Sequence, residues 1–280
     1  MKMALPWLII LLYTGLVAGI AVAGKKVAIV GSGNWGSAIA RTVANNVKVM
    51  DDYEDKVNMW VFEELVDSHN LTELINEKHE NVKYLPGVSL PETVVAVPDL
   101  IQGCGDADVL VFVVPHQFLP RVLDNLKGKV KKDVVGISLI KGLEVGAKGP
   151  QLLSEMIERV LEIQPVAVLM GANVAADVVR DDFVEATLAC RDEALSARMA
   201  SLFDCPSFRI QTVTDVASVE ICGAVKNVIA MGGGFCDGLK LGPSTKAAIL
   251  RRGMVEMAHL CSKYNADFSY SLMMESCGVA

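Results

Sequence analysis

The chain has 280 residues, a formal net charge of −7 and no basic run, which excludes a nucleic-acid partner held by bulk charge. That length suffices for one large domain or two ordinary ones, so burial of a core is not limiting. Seven cysteines without a Cys-x-x-Cys pair and four scattered histidines read as reduced thiols, with neither a disulfide framework nor a zinc site.

Residues 3–23 form an uncharged stretch of about 20 residues, long enough to span a bilayer. Three readings stay open for it: a membrane anchor, a signal peptide cut after Ala21-Val22-Ala23, or a start assigned too far upstream. After Gly24 apolar strands and amphipathic helices alternate, which predicts a sheet of parallel strands with helices on both faces. Lys26–Val30 is the first strand, Gly31-Ser-Gly-Asn-Trp-Gly36 a glycine-rich turn, and Ser37–Ala44 the helix after it. The polar, acidic stretch Asn45–Lys56 reads as a loop or frayed insertion, and Val57–Phe62 as the second strand. A helix at Thr72–His79 follows, then strands at Val94–Val97, Val109–Val114, Val134–Leu139 and Val166–Met170. Beyond about Ala194 strand signals fade, apart from Phe208–Gln211, and long apolar helices are predicted at Val216–Met231 and Thr245–Lys263. The division expected is a leader at 1–23, a dinucleotide-binding part at 24–212 and a helical substrate part at 213–280.

In open sheets of this kind ligands bind beyond the carboxyl ends of the strands, so chemistry is sought there. A glycine turn between strand and helix suits a dinucleotide. Gly31 permits the tight turn, Gly33 admits a pyrophosphate, and Gly36 lets the helix pack closely, while the helix start offers free N–H groups. At the end of the second strand Phe62 is followed by Glu63, whose carboxylate suits a ribose 2′-hydroxyl and favours NAD over NADP. After Val109–Val114 come His116 and Phe118; the ring of Phe118 can pack on a flat cofactor ring, and His116 beside a proline turn reads more readily as structural than as an acid or base. Lys141, between a strand and Gly142, suits an anion or carbonyl, and Asn173 beside Gly171 suits a substrate hydrogen bond. Lys226 interrupts a helix that is apolar nearly all round. It either snorkels to the surface or faces a cleft, where burial and a second cation such as Lys141 lower its pKa into the range of a general acid.

Together these segments resemble the NAD-dependent glycerol-3-phosphate dehydrogenases of the eukaryotic type. The resemblance is carried in order by the Gly31–Gly36 turn, Met59-Trp-Val-Phe-Glu-Glu64, His79-Glu-Asn-Val-Lys-Tyr-Leu-Pro-Gly87, Phe112-Val-Val-Pro-His-Gln-Phe118, Ile137-Ser-Leu-Ile-Lys-Gly142, Leu169-Met-Gly-Ala-Asn173, Val219-Glu-Ile-Cys-Gly-Ala-Val-Lys-Asn-Val228, Gly234-Phe-Cys-Asp-Gly-Leu239 and Glu275-Ser-Cys-Gly-Val-Ala280. It spans from about Lys25 to the last residue and leaves out the apolar leader. It implies a Rossmann-like doubly wound parallel sheet followed by an incomplete all-α substrate domain. The implied reaction is reversible hydride transfer between NADH and dihydroxyacetone phosphate, giving sn-glycerol 3-phosphate.

By the same resemblance Lys226 donates the proton, and Lys141 and Asn173 contact the substrate. The cofactor site takes in Gly31, Ser32, Gly33, Asn34, Trp35, Gly36, Phe62, Glu63, Phe118, Lys141 and Ala175. The expected setting is a cytoplasmic catalytic part, a homodimer when full length, with membrane attachment through residues 3–23 as one reading of the leader. Two departures stand out. Gly242-Pro-Ser-Thr-Lys246 replaces the usual Gly-Asp-Asn-Thr-Lys, with Ser244 left as the candidate helix cap. The family's Arg-Asn grip on the substrate phosphate lies beyond Ala280, so the chain reads as truncated. The competing readings are an inactive NAD-binding protein and a related 3-hydroxyacid dehydrogenase.

Overall fold

A computed structural model describes residues 24–146, 149–265 and 268–279. The leader at 1–23 and Ala280 lie outside the described residues. The main sheet is built from β1 (Lys25–Val30), β2 (Tyr53–Trp60), β3 (Val94–Val97), β4 (Val109–Phe112), β5 (Val135–Ser138), β6 (Val166–Met170), β7 (Val184–Ala189) and β8 (Phe208–Val213). Its spatial order is β8-β7-β6-β5-β4-β1-β2-β3. The order reverses between β1 and β4, the switch point at which a doubly wound sheet opens a crevice. β1, β4 and β5 are buried along their central residues on both faces, which explains their unbroken apolar sequence.

Helices α1 (Asn34–Val47), α2 (Leu71–Lys78), α3 (Leu100–Cys104), α4 (Leu119–Leu126), α5 (Leu153–Leu161), α6 (Ala175–Val179) and α7 (Glu193–Ser201) connect and cover the strands. One core joins α1 and α7 to one side of the sheet, and a second joins α4 and α5 to the other. From Val216 the chain is helical: α8 (Val216–Gly238) and α9 (Pro243–Tyr264) pair with each other, and α8 lies on β6. α8 is long and apolar enough to cross a membrane by length and composition, but it is half buried here as a core helix.

Four expectations are corrected. The loop expected at Asn45–Lys56 is shorter, confined to residues 48–52: α1 runs on to Val47 and β2 begins at Tyr53. A bulge hides that strand, because Lys25 pairs with Tyr53 but Val27 with Val57, so the charged residues 54–56 loop outward between buried Tyr53 and Val57. The sheet is not wholly parallel, since β7 pairs antiparallel with β6 while β8 runs parallel to β7. Ser244 does not cap α9: Gly242 occupies the cap without a side-chain bond, and Pro243 presets the first helical turn. α8 also extends past Met231, where Gly232 and Gly233 face α9 rather than break the helix. A Cβ on Gly233 would meet Leu250 at 3.2 Å, and one on Gly253 would meet Ile229 at 2.7 Å.

One buried charge ties the helical pair to the sheet. Glu220 of α8 is fully buried, and its carboxylate caps α5, accepting from the Leu153 N–H at 2.6 Å, the Ser154 N–H at 3.2 Å and the Ser154 hydroxyl. Its negative charge at a helix amino end is favourable, yet burial dominates and pushes its pKa up to about 7. The folded state therefore binds this proton more tightly than the unfolded chain does, and stability falls as pH rises from about 4.5 to about 7. Glu220→Gln is expected to flatten that limb, which is worth on the order of 3 kcal/mol at most. Urea unfolding at several pH values between 4.5 and 8 checks this.

Candidate active site

The glycine turn sits at the switch point with β4 against it. Gly31 has φ +122°, a conformation that L side chains rarely adopt, and a Cβ there would meet Val114 at 3.1 Å. On Gly36 a Cβ would fall 2.3 Å from the Gly31 carbonyl oxygen, so α1 starts in direct contact with the turn. A Cβ on Gly33 would meet nothing within 4 Å. Gly33 caps α1 without a side-chain bond, so the helix opens onto space at the point where a phosphate needs its N–H groups. The Trp35 N–H donates to Asn34 Oδ1 at 2.7 Å, and Ser32 is nearly buried.

Two cavities flank this turn and share Val113, Val114 and Pro115 as a common wall. The larger, about 800 Å³, is lined by Gly31–Gly33, Trp60, Phe62, Glu63, Glu64, Tyr84 and Phe118. The smaller, about 470 Å³, is lined by Asn34, Trp35, His116, Lys141, Asn173 and Ala175. The turn thus divides a groove along the carboxyl ends of the strands into two halves, each within the size range of small-molecule sites. Phe62 and Phe118 are 64% and 55% exposed, large apolar rings held out over the larger half.

Glu63 has a second task. Its carboxylate accepts from the N–H of Glu64 at 3.3 Å, the N–H of Thr72 at 3.2 Å and the Thr72 hydroxyl, which caps α2 from outside. Next to it, Glu64 accepts from the Tyr84 hydroxyl at 2.5 Å and pairs with Lys83. Lys83 and then Tyr84 hold its pKa below the ordinary glutamate value. The wall of the larger cavity therefore carries two carboxylates.

The structure reveals a residue that the sequence reading passed over. Asn81 is fully buried; its Nδ2 donates to the Ser32 carbonyl and to the Ser37 hydroxyl, both at 2.8 Å, and its Oδ1 accepts from the Tyr84 N–H at 3.1 Å. It clamps the glycine turn to the start of α1 from a segment 49 residues further along the chain. Its position within the Glu80–Val82 stretch was visible in the sequence, but a buried amide in a loop carries no periodic signal.

In the smaller half, the Asn173 amide donates to the Glu185 carbonyl of β7 at 2.8 Å. Lys141 reaches the groove from the end of β5, and partial desolvation lowers its pKa. Ala175 begins α6 and packs with Ala38 and Leu85. His116 lies against Gly142, so that a Cβ there would come within 3.3 Å of the imidazole. Lys226 does not snorkel: it is 8% exposed, and its Nζ donates to the Ser276 carbonyl at 3.1 Å. It does not line either cavity. Burial, followed by the positive charge of Lys141, brings its pKa down to about 8, against the opposing influence of the Cys277 and Cys222 thiols. The helix reaches this position because α8 crosses β6 at Gly223, where a Cβ would fall 2.4 Å from Met170 Sδ.

A switch-point groove, a bare-capped helix and two lysines coupled by charge define a dinucleotide-dependent oxidoreductase of the doubly wound type. The family models agree: that of the NAD-dependent glycerol-3-phosphate dehydrogenase N-terminus matches residues 26–196, and that of the C-terminus residues 215–280. The chain belongs to the NAD-dependent glycerol-3-phosphate dehydrogenase family. It is 52% identical over 259 residues to the cytoplasmic NAD(+) glycerol-3-phosphate dehydrogenase of Rattus norvegicus, covering 92% of this chain and 74% of that protein. The Homo sapiens protein of the same name matches at the same identity and coverage. Among solved structures, glycerol-3-phosphate dehydrogenase of Plasmodium falciparum superposes with a TM-score of 0.87 at 41% identity, over 92% of this chain and 71% of that one. The Saccharomyces cerevisiae enzyme gives 0.85 at 44% identity, over 91% and 75%.

Two glycine substitutions separate cofactor binding from folding. Gly33→Ala, whose Cβ meets nothing, is expected to keep the melting temperature within about 2 °C. It is also expected to weaken NADH binding at least about tenfold, because the methyl occupies the space over the helix start. Gly36→Ala is expected to lose much of the folded protein, since the turn has no room for it. Calorimetric titration with NADH and thermal unfolding check both.

Proposed function

We propose that this chain catalyses reversible hydride transfer between NADH and dihydroxyacetone phosphate, giving sn-glycerol 3-phosphate. The observation that carries the reading is Lys226, a buried lysine with a pKa near 8 whose charge is coupled to that of Lys141 at the groove. Residues 24–212 hold the cofactor in this proposal and residues 213–280 contribute the proton donor. The cofactor runs along the groove, with Gly31, Ser32, Gly33, Asn34, Trp35 and Gly36 around its pyrophosphate and Phe62 and Phe118 beside its rings. Glu63 and Glu64 disfavour a 2′-phosphate by charge, so NAD is preferred over NADP. Bound NADH supplies the hydride.

Lys141 and Asn173 orient the ketone in the smaller half, next to Ala175. As negative charge develops on the carbonyl oxygen, the Lys226 ammonium neutralises it and hands over a proton from Nζ. With a pKa near 8 that group is charged at neutral pH and weakly enough bound to its proton to release it. The reverse reaction needs the neutral amine as base. Ketone reduction therefore falls as pH rises through about 8, and alcohol oxidation rises over the same interval. The proposal extends to a homodimer of the full-length protein, checked by light scattering, and to a membrane anchor as one of the three readings of residues 3–23, beside a cleaved signal and a start assigned too far upstream. A reporter fused to residues 1–23 that stays soluble contradicts the anchor.

Lys226→Ala is expected to lower turnover at least about a hundredfold while leaving NADH affinity within about twofold. The assay is NADH oxidation on dihydroxyacetone phosphate across pH 6–10, beside calorimetry with NADH. Equal loss of binding and turnover would assign the lysine a structural role. Binding of NADH by the parent chain without turnover would make it a cofactor-binding protein only.

A further inference from the structure

Among the described residues, Lys226 Nζ has one hydrogen-bond acceptor, the backbone carbonyl of Ser276. That carbonyl belongs to a turn at 275–279, closed by the Gly278 N–H donating to the Glu275 carbonyl at 2.9 Å and the Val279 N–H donating to the same oxygen at 3.2 Å. Within the turn, Cys277 is fully buried in one core with Ile221 and Cys222 of α8, and its thiol meets that of Cys222. The polar tie comes from the sheet: Thr187 Oγ1 lies 3.2 Å from Ser276 Oγ and accepts from the Cys277 N–H at 3.2 Å. Thr187 is fully buried on β7, opposite Met170 at the carboxyl end of β6.

We propose that Thr187 is a positioning residue for the proton donor, holding the 276–277 turn so that the Ser276 carbonyl orients Lys226 Nζ. The inference rests on Lys226 being that donor. Its physical basis is that a single hydroxyl serves both residues of the turn at once, one through a side chain and one through a backbone N–H. A buried Thr hydroxyl also satisfies itself by this arrangement, so valine of the same shape loses both contacts and strands the Cys277 N–H. Three other ionisable groups act on Lys226: Lys141 across the groove, Cys222 one turn earlier on α8, and Cys277 in the same turn. None of these fixes the ammonium's direction, whereas the Ser276 carbonyl does.

Releasing the turn has two opposed effects on the lysine. It removes a carbonyl acceptor, which water replaces at nearly equal strength, and it admits that water to a side chain whose pKa is depressed first by burial. The second effect wins, so the pKa moves up toward the ordinary lysine value, while the ammonium loses its aim.

The test measures two quantities on the full chain: the pKa of Lys226, by competitive acetylation with acetic anhydride and peptide mass spectrometry across pH 6–11, and steady-state NADH oxidation on dihydroxyacetone phosphate. Thr187→Val is expected to raise the Lys226 pKa by about one unit and to lower kcat about tenfold, with KM for the ketone and the Kd for NADH within about twofold. Thr187→Ser keeps the hydroxyl and is expected to restore both. Ser276→Ala removes only the bond between the two hydroxyls and is expected to raise the pKa by a smaller amount, which keeps the test decisive if Thr187→Val does not fold. An unchanged Lys226 pKa in the valine and alanine variants overturns the proposal, and so does a serine variant as impaired as the valine one. Lys226→Ala is measured beside them: turnover retained there sinks the proton-donor reading, while the labelling result still reports on the turn.

Discussion

The contact between Gly36 and the Gly31 carbonyl is the constraint on which the rest of the groove depends. α1 starts hard against the turn at Gly36, while the space above Gly33 is open. The same contact presses the turn onto Val113 and Val114 of the chain leaving β4, which form the shared wall between the two cavities. One close approach thus fixes the direction of the helix dipole, the place where anionic charge is welcome and the division of the groove. Asn81 locks that arrangement from outside by donating to acceptors in the turn and in α1, the Ser32 carbonyl and the Ser37 hydroxyl.

The reversed strand β7 gives the second half of the site its rigidity. In a wholly parallel sheet every strand presents only its carboxyl end to the groove. Running antiparallel to β6, β7 brings Glu185 and Thr187 there, with the Glu185 carbonyl on Asn173 and the Thr187 hydroxyl on the 276–277 turn. The residue proposed to bind substrate and the segment that carries the lysine's acceptor therefore hang from positions two residues apart on one strand. α8 is fixed twice more, to the sheet by Gly223 against Met170 and to α5 by Glu220 at the start of that helix. Lys226 is carried on a helix whose place is set by packing and by a buried hydrogen-bonded carboxylate.

Much of this was legible in the sequence where the signal is local. The turn Gly31–Gly36 is read directly because its backbone demands act over six residues, and the buried strands because both faces call for apolar side chains. Lys226 stood out as one charge in an apolar helix. The strand at Tyr53–Trp60 was obscured because a bulge ejects residues 54–56 and breaks the alternation expected of a strand. β7 was missed, although its core Ala186–Ala189 is buried, because its small residues give a weak strand signal. Asn81, Thr187 and Glu220 act across separations of 49, 90 and 67 residues, and no pattern along the chain announces a contact made at that distance. Glu63 was read as facing a ribose; it also caps α2, a role that depends on how the chain folds back at Thr72.

The central claim is that the glycine turn and the start of α1 receive the cofactor's pyrophosphate and so set the line of the whole groove. A crystal structure of the chain with NADH tests it most directly. Pyrophosphate oxygens are expected about 3 Å from the N–H groups at the start of α1, above Gly33, with the nicotinamide in the half lined by Lys141 and Asn173. A pyrophosphate seated away from the turn, or a nicotinamide in the half lined by Phe62 and Tyr84, would contradict it.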